Sequence, residues 1–219
     1  MRILAMDGAL ARASAAVWAE GRVMAQATTD GARGQPTALP LLVQRVLAEA
    51  GLAATELDAV AAVVGPGGFT GLRAALALAQ GIALAAGRPA VGVTTGEALA
   101  AGLPAAWRAG RETWCCIDTR RGRLLLERFA PGSAAALGPP LSLAPEELPV
   151  VAAPPLLAGD AADMALAALA SRGVVAENSG HALPRAADAA AVAALRLAGQ
   201  LPPLAALPLY VEPPAVRAP

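Results

Sequence analysis

The chain contains no lysine, one histidine, two cysteines and six aromatic residues. Each shortage excludes something. All 17 basic residues are arginine, balanced by 17 acidic ones, so no chain-wide positive field exists to hold nucleic acid. Aromatics at 3 % are too few for a row of base-stacking platforms. A lone His181 cannot supply the paired imidazoles of a metallopeptidase or a metal-dependent transferase, so no metal site is expected. Cys115 and Cys116 are neighbours, a poor geometry for an ordinary disulfide, and read as small core thiols of the reducing cytoplasm. No signal peptide is visible before Asp7, and no apolar stretch is expected to reach the roughly 18 residues of a membrane span. No serine sits in a nucleophile elbow, which argues against a Ser-His-Asp triad.

What is present is apolar: 56 % of 219 residues, enough for one large domain or two small lobes. Residues 3–6, 14–18 and 22–28 read as strands, with Glu20-Gly21 as a tight turn between the last two. Residues 36–50 read as a helix with Pro36 in its first turn and Gly51 at its stop. Its Leu39, Leu42, Val43, Val46, Leu47 and Ala50 form one apolar stripe. Strands follow at 59–64 and 89–93, with helices at 70–86 and 95–101. The second half opens in the same way, with a strand at 113–117 ending in Asp118 and another at 124–129. Residues 131–155 are Pro/Gly-rich and aperiodic, and helices at 160–172 and 186–199 complete the chain. Hairpins followed by strand–helix alternation predict mixed sheets with helices on them.

The densest signal is Val63-Val64-Gly65-Pro66-Gly67-Gly68-Phe69-Thr70-Gly71-Leu72-Arg73, a buried strand, a glycine turn and a helix start. Such a start carries free N–H groups and favours anions, which makes Gly65, Gly67, Thr70 and Gly71 candidate nucleotide or anion contacts. The alternative is a tight chain turn. The phosphate-cradling motif needs a lysine after its last glycine, and the dinucleotide motif needs a glycine where Thr70 stands. Asp7 and Asp118 are either paired carboxylates facing each other across a cleft or strand-end turn formers. Arg120, Arg121, Arg123 and Arg128 are either a solvated hairpin or an auxiliary phosphate contact. The 70–86 helix is apolar nearly all round, so a second element or a partner must cover the face turned away from its sheet.

The glycine loop, continued by Gln80-Gly81, resembles the signature of the TsaB family, bacterial proteins of tRNA threonylcarbamoyladenosine biosynthesis once labelled glycoprotease-like. Arg2-Ile3-Leu4-Ala5-Met6-Asp7, Ile117-Asp118-Thr119-Arg120-Arg121-Gly122 and Leu207-Pro208-Leu209-Tyr210-Val211 are similar to three further family segments. The resemblance implies an α/β, two-lobed actin/hexokinase/Hsp70-like fold (duplicated RNase H-like), with lobes at 1–102 and 103–219. It implies a non-catalytic subunit that stabilises and orients the catalytic paralogue TsaD, with the ATPase TsaE joining the complex and a homodimer as another assembly. Pairing would run through the helices at 36–50 and 70–86, with Leu41, Ala75, Leu78, Ala79 and Ile82 as contacts, and Ala79→Glu would leave the lobe folded. The implied cofactor set is none of its own, with ATP or ADP at the interface with TsaD. tRNA would be held only through the complex, with no membrane involved. The turn after Asp7 lacks the hydroxyl of active superfamily members, so no phosphoryl transfer is expected. The rival readings are a stand-alone nucleotide-dependent kinase-like enzyme and an inactive glycopeptidase homologue.

Overall fold

The structure, a computed structural model, describes residues 1–31 and 33–211. The chain opens with β1 (Arg2–Asp7), β2 (Arg12–Ala19) and β3 (Arg22–Asp30), an antiparallel meander. Glu20 and Gly21, both at positive φ, make the two-residue turn that the strand twist favours. Helix α1 (Gln35–Ala50) buries Leu39, Leu42, Val43 and Val46, four residues of the expected stripe, and stops at Gly51 in the left-handed region. Strand β4 (Ala59–Gly65) runs parallel to β1, is buried along its whole length and leads into α2 (Phe69–Ala86). Strand β5 (Ala90–Thr94) adds at the edge and runs directly into α3 (Thr95–Ala101), which Thr94 and Glu97 close with a capping box.

After the short α4 (Ala105–Arg108) the plan repeats. Strands β6 (Thr113–Asp118), β7 (Leu124–Phe129) and β8 (Leu141–Leu143) form a second meander. Strand β9 (Leu156–Ala158) is parallel to β6, α5 (Ala162–Ser171) follows, and β10 (Glu177–Asn178) pairs with β9. The sheet orders are β3-β2-β1-β4-β5 and β8-β7-β6-β9-β10, the same arrangement twice. The strand, aspartate and hairpin that open each half of the sequence are thus the start of each repeat.

The last helix, α6 (Ala186–Leu197), returns to the first sheet, and its buried alanines pack on the face opposite α1 and α2. Residues 204–211 continue along that lobe. The Gly92 N–H donates to the Leu204 carbonyl at 2.8 Å, and the Leu209 N–H to the Val64 carbonyl at 2.9 Å. Helix α3 is buried between the two sheets: Ala98 belongs to the first lobe's core, Leu99 and Ala100 to the second's. The aperiodic 131–155 stretch holds β8, a three-residue edge strand too short to carry a readable alternation.

Candidate functional site

A cleft of about 740 Å³ opens between the lobes. Its first-lobe wall is the β1–β2 turn (Gly8 to Ala11) and the glycine loop up to Gly71. Its second-lobe wall is Ile117 to Arg121 with Asp160, and Leu209, Tyr210 and Val211 close the rim. Of the four candidate contacts, Gly67, Thr70 and Gly71 line the cleft, as does Pro66, while Gly65 sits behind them against Leu209. The N-cap of α2, Gly68, offers no side chain to the first-turn N–H groups, so that end of the helix attracts anions.

The glycines have a second use that the spacing did not reveal. A Cβ on Gly8 would lie 2.8 Å from the Gly71 carbonyl oxygen, and one on Gly71 would overlap the Gly8 carbonyl. One on Gly67 would overlap the Ala9 carbonyl, which also accepts the Gly68 N–H at 2.7 Å. The glycine loop and the first hairpin are thus packed backbone on backbone. Gly159 repeats the device in the second lobe, where its Cβ would overlap the Cys116 carbonyl.

The two aspartates part company. Asp7 is sealed beneath the hairpin: Oδ1 accepts the Ala9 N–H at 2.9 Å, and Oδ2 is buried without a hydrogen-bond partner. Burial pushes its carboxyl up to about 7, against the Ala9 hydrogen bond and the Arg12 charge. Asp118 lines the cleft and acts as a turn former, accepting the Arg120 N–H at 2.7 Å. The paired-carboxylate reading fails because Asp7 does not reach the cleft wall. The acidic partner of Asp118 is instead Asp160, which accepts the Asp118 N–H at 2.9 Å and an Arg120 guanidinium nitrogen at 3.0 Å. Asp160 was missed although it follows Gly159 at the end of β9, the second-lobe counterpart of the glycine loop. The arginine group is largely engaged. Arg120 pairs with Asp118 and Asp160, Arg123 bonds Ser142 and Glu147, and Arg128 bonds Glu112.

His181 stands beside Gly102 at the junction of the lobes, its carbonyl accepting the Gly159 N–H, and burial lowers its pKa. Cys115 and Cys116 are free and buried, and burial pushes the Cys116 thiol up to about 12. Among the described residues no group of His, Cys, Asp and Glu is placed to hold a metal ion.

Residues 31–133 match the family model described as TsaD, tRNA N6-adenosine threonylcarbamoyltransferase. The tRNA threonylcarbamoyladenosine biosynthesis protein TsaB of Escherichia coli K12 is 39 % identical over 126 residues, 57 % of this chain and 53 % of that protein. Among solved structures, YeaZ from Pseudomonas aeruginosa superposes with a TM-score of 0.79 at 27 % identity, covering 95 % of this chain and 99 % of that one. The chain is similar to TsaB proteins over these spans. Its aligned part spans about half the length of the E. coli relative. Component A of the (R)-2-hydroxyglutaryl-CoA dehydratase of Acidaminococcus fermentans shares the fold at a TM-score of 0.55 and 11 % identity. The two-lobed actin/hexokinase/Hsp70-like architecture expected of a TsaB-like chain is the one observed.

The helix faces expected to pair in a TsaB-like protein need correction. Ala75 and Ala79 are fully buried in the first lobe's core, and Leu78 and Ile82 are half-buried along its edge. Only Leu41, 65 % exposed, lies on the open surface. The open face of α2 instead carries Arg73, Ala77, Gln80, Gly81 and Leu84, the last 84 % exposed. Ala79→Glu would therefore place a charge in the core and unfold the lobe rather than leave it intact. Among the described residues no element covers the outer face, so α2 is not buried on every side there. By length and composition α2 is also apolar enough to cross a membrane, contrary to the expectation for this sequence, but its inner face is built into the first core.

Proposed function

We propose that this chain is a non-catalytic subunit of the machinery that forms threonylcarbamoyladenosine beside the anticodon of tRNAs decoding ANN codons, and that it stabilises and orients a TsaD paralogue. The relationship to E. coli TsaB, named for this biosynthesis, supports the pathway. The observation that carries the subunit role is the pairing of a sealed aspartate with an open apolar helix. Asp7, the carboxylate that would act on a nucleotide, has no exposed surface, while α2 presents an acid-free face on which Ala77, Gly81 and Leu84 lie open between Arg73 and Gln80. A face of this kind marks an interaction surface. In this reading TsaD carries out the transfer, TsaE joins the complex, and ATP or ADP sits where the cleft meets TsaD. tRNA is held by the assembly and not by this chain alone, whose net charge is zero.

The test is a binding titration with the TsaD paralogue of the same organism, alongside the self-association of the chain. Leu84→Glu should leave circular dichroism and melting unchanged, because the side chain stands in solvent. It should weaken pairing by about a hundredfold or more, since an unpaired charge buried in an interface costs several kcal/mol. Full TsaD affinity and unchanged oligomer size in the folded variant would remove this face from the assembly. Transfer of threonylcarbamoyl to tRNA by the isolated chain would overturn the subunit role.

A further inference from the structure

Glu127 lies in the middle of β7 of the second lobe and is buried. Its carboxyl meets the start of α3. The Thr94 hydroxyl stands 2.8 and 3.0 Å from its two oxygens, and the Gly96 N–H donates to it as well. That hydroxyl has one proton, and the geometry leaves it for Glu127, because the oxygen already accepts the Glu97 N–H at 2.9 Å. Glu97 closes the capping box by accepting the Thr94 N–H at 2.8 Å. Gly96 has no Cβ because the Glu127 carboxyl fills that space.

The two glutamates at this helix start are not equivalent. Glu97 is paired with Arg196 of α6 at 2.7 Å, and Arg196 also donates to the Gly92 carbonyl at 2.8 Å. No guanidinium among the described residues is bonded to Glu127. Burial pushes it up to about 8, against the Thr94 hydrogen bond and with the Glu97 charge adding to the rise. The Arg196 charge works against that rise, and Cys115 of β6, whose thiol burial pushes well above its ordinary value, is a further titratable neighbour. Protonated, Glu127 donates its own proton to the second lone pair of the Thr94 hydroxyl while its other oxygen accepts the Thr94 proton, which avoids an uncompensated buried charge.

The next residue of α3 faces the other way. The Thr95 hydroxyl donates to the Pro66 carbonyl at 2.7 Å, and Pro66 lines the cleft. One helical turn therefore touches the second lobe through Thr94 and Gly96 and the glycine loop through Thr95.

We propose that Glu127 is a bolt between the lobes, and that α3 transmits its seating to the glycine loop on the cleft. With the carboxyl seated, the start of α3 is fixed and the Thr95–Pro66 tether holds the loop. With it withdrawn, the second sheet loses its polar anchor on α3 and the loop is freed. This device is independent of which partner the chain has.

Hydrogen–deuterium exchange on the full chain tests it, with α1 as the control for an intact fold. Glu127→Gln preserves shape and neutrality and should keep the protection of the wild type at residues 65–71. Glu127→Ala, and independently Gly96→Ala, should speed exchange at 65–71 and across β6 and β7 by about tenfold or more while α1 stays protected. Thr95→Val should free 65–71 alone, which keeps the proposal testable if Glu127→Ala fails to fold. Unchanged exchange at 65–71 in Gly96→Ala and Thr95→Val would overturn the coupling. A Glu127→Gln protein as loose as Glu127→Ala would overturn the bolt.

Discussion

Gly71→Ala should melt well below the wild type, and Gly81→Ala, ten positions along the same helix, slightly above it. At position 71 an added Cβ would overlap the Gly8 carbonyl, so the clash is between two backbones. Neither side has a rotamer to change, and the strain is relieved only by separating the first hairpin from the glycine loop. That separation strips the hydrogen bond from the Gly68 N–H to the Ala9 carbonyl. Overpacking costs about 1–3 kcal/mol and a lost hydrogen bond about 1, so a loss of about 3 kcal/mol is expected. For a chain of this size that lowers Tm by about 6–12 °C. At position 81 the same methyl group meets nothing within 4 Å. There the change recovers the helix propensity of alanine, about 0.8–1 kcal/mol, and raises Tm by about 2–4 °C. Thermal melts followed by circular dichroism decide it. Equal melting of Gly71→Ala and wild type would show that hairpin and loop are not clamped.

This pair also shows what spacing can and cannot say. The strand–glycine–helix order at 59–86 was legible because β4 is a continuous apolar run and the glycines interrupt it. Whether Gly67 and Gly71 leave room for a ligand or for another backbone was not legible. The answer lies in Gly8 and Ala9, some sixty residues away. Helix α1 was read almost to the residue because its leucines and valines alternate with polar positions. The outward face of α2 was misjudged for the opposite reason. Alanine at 74, 75, 77 and 79 gives no polarity contrast to mark a side, and only packing against β4 separates buried Ala75 and Ala79 from open Ala77. Strands β8 to β10 are too short to show a period. Glu127 was visible as a lone carboxylate between Leu126 and Arg128, but its partner Thr94 belongs to the other half of the sequence.

The protein should be more stable at pH 6 than at pH 8, the reverse of ordinary acid denaturation. Asp7 and Glu127 are both acids whose folded pKa is raised by burial, to about 7 and about 8 from 3.8 and 4.5. Between the unfolded and folded values the native state holds a proton that the unfolded chain has released. Stability is therefore fully present below about pH 4 and is lost as pH rises through the folded values. Each unit of separation is worth about 1.4 kcal/mol. From pH 6 to 8 Asp7 contributes about one unit and Glu127 about two. Solvent penetration and relaxation reduce the sum of about 4, so a fall of about 2–4 kcal/mol is expected. His181 works in the other direction: burial lowers its pKa, so protonation costs stability as pH drops below 6.5. That opposing effect is confined to the acid end of the window. Asp30, whose pKa is lowered by its hydrogen bond to Arg12, is exposed and titrates below it. Urea denaturation at pH 6, 7 and 8 measures the slope, with a constant m-value as the check on two-state behaviour. In an Asp7→Asn, Glu127→Gln double variant neither side chain releases a proton, so its stability should be nearly flat across the same range. The account fails if the wild type gains stability from pH 6 to 8, or if the double variant keeps the wild-type slope.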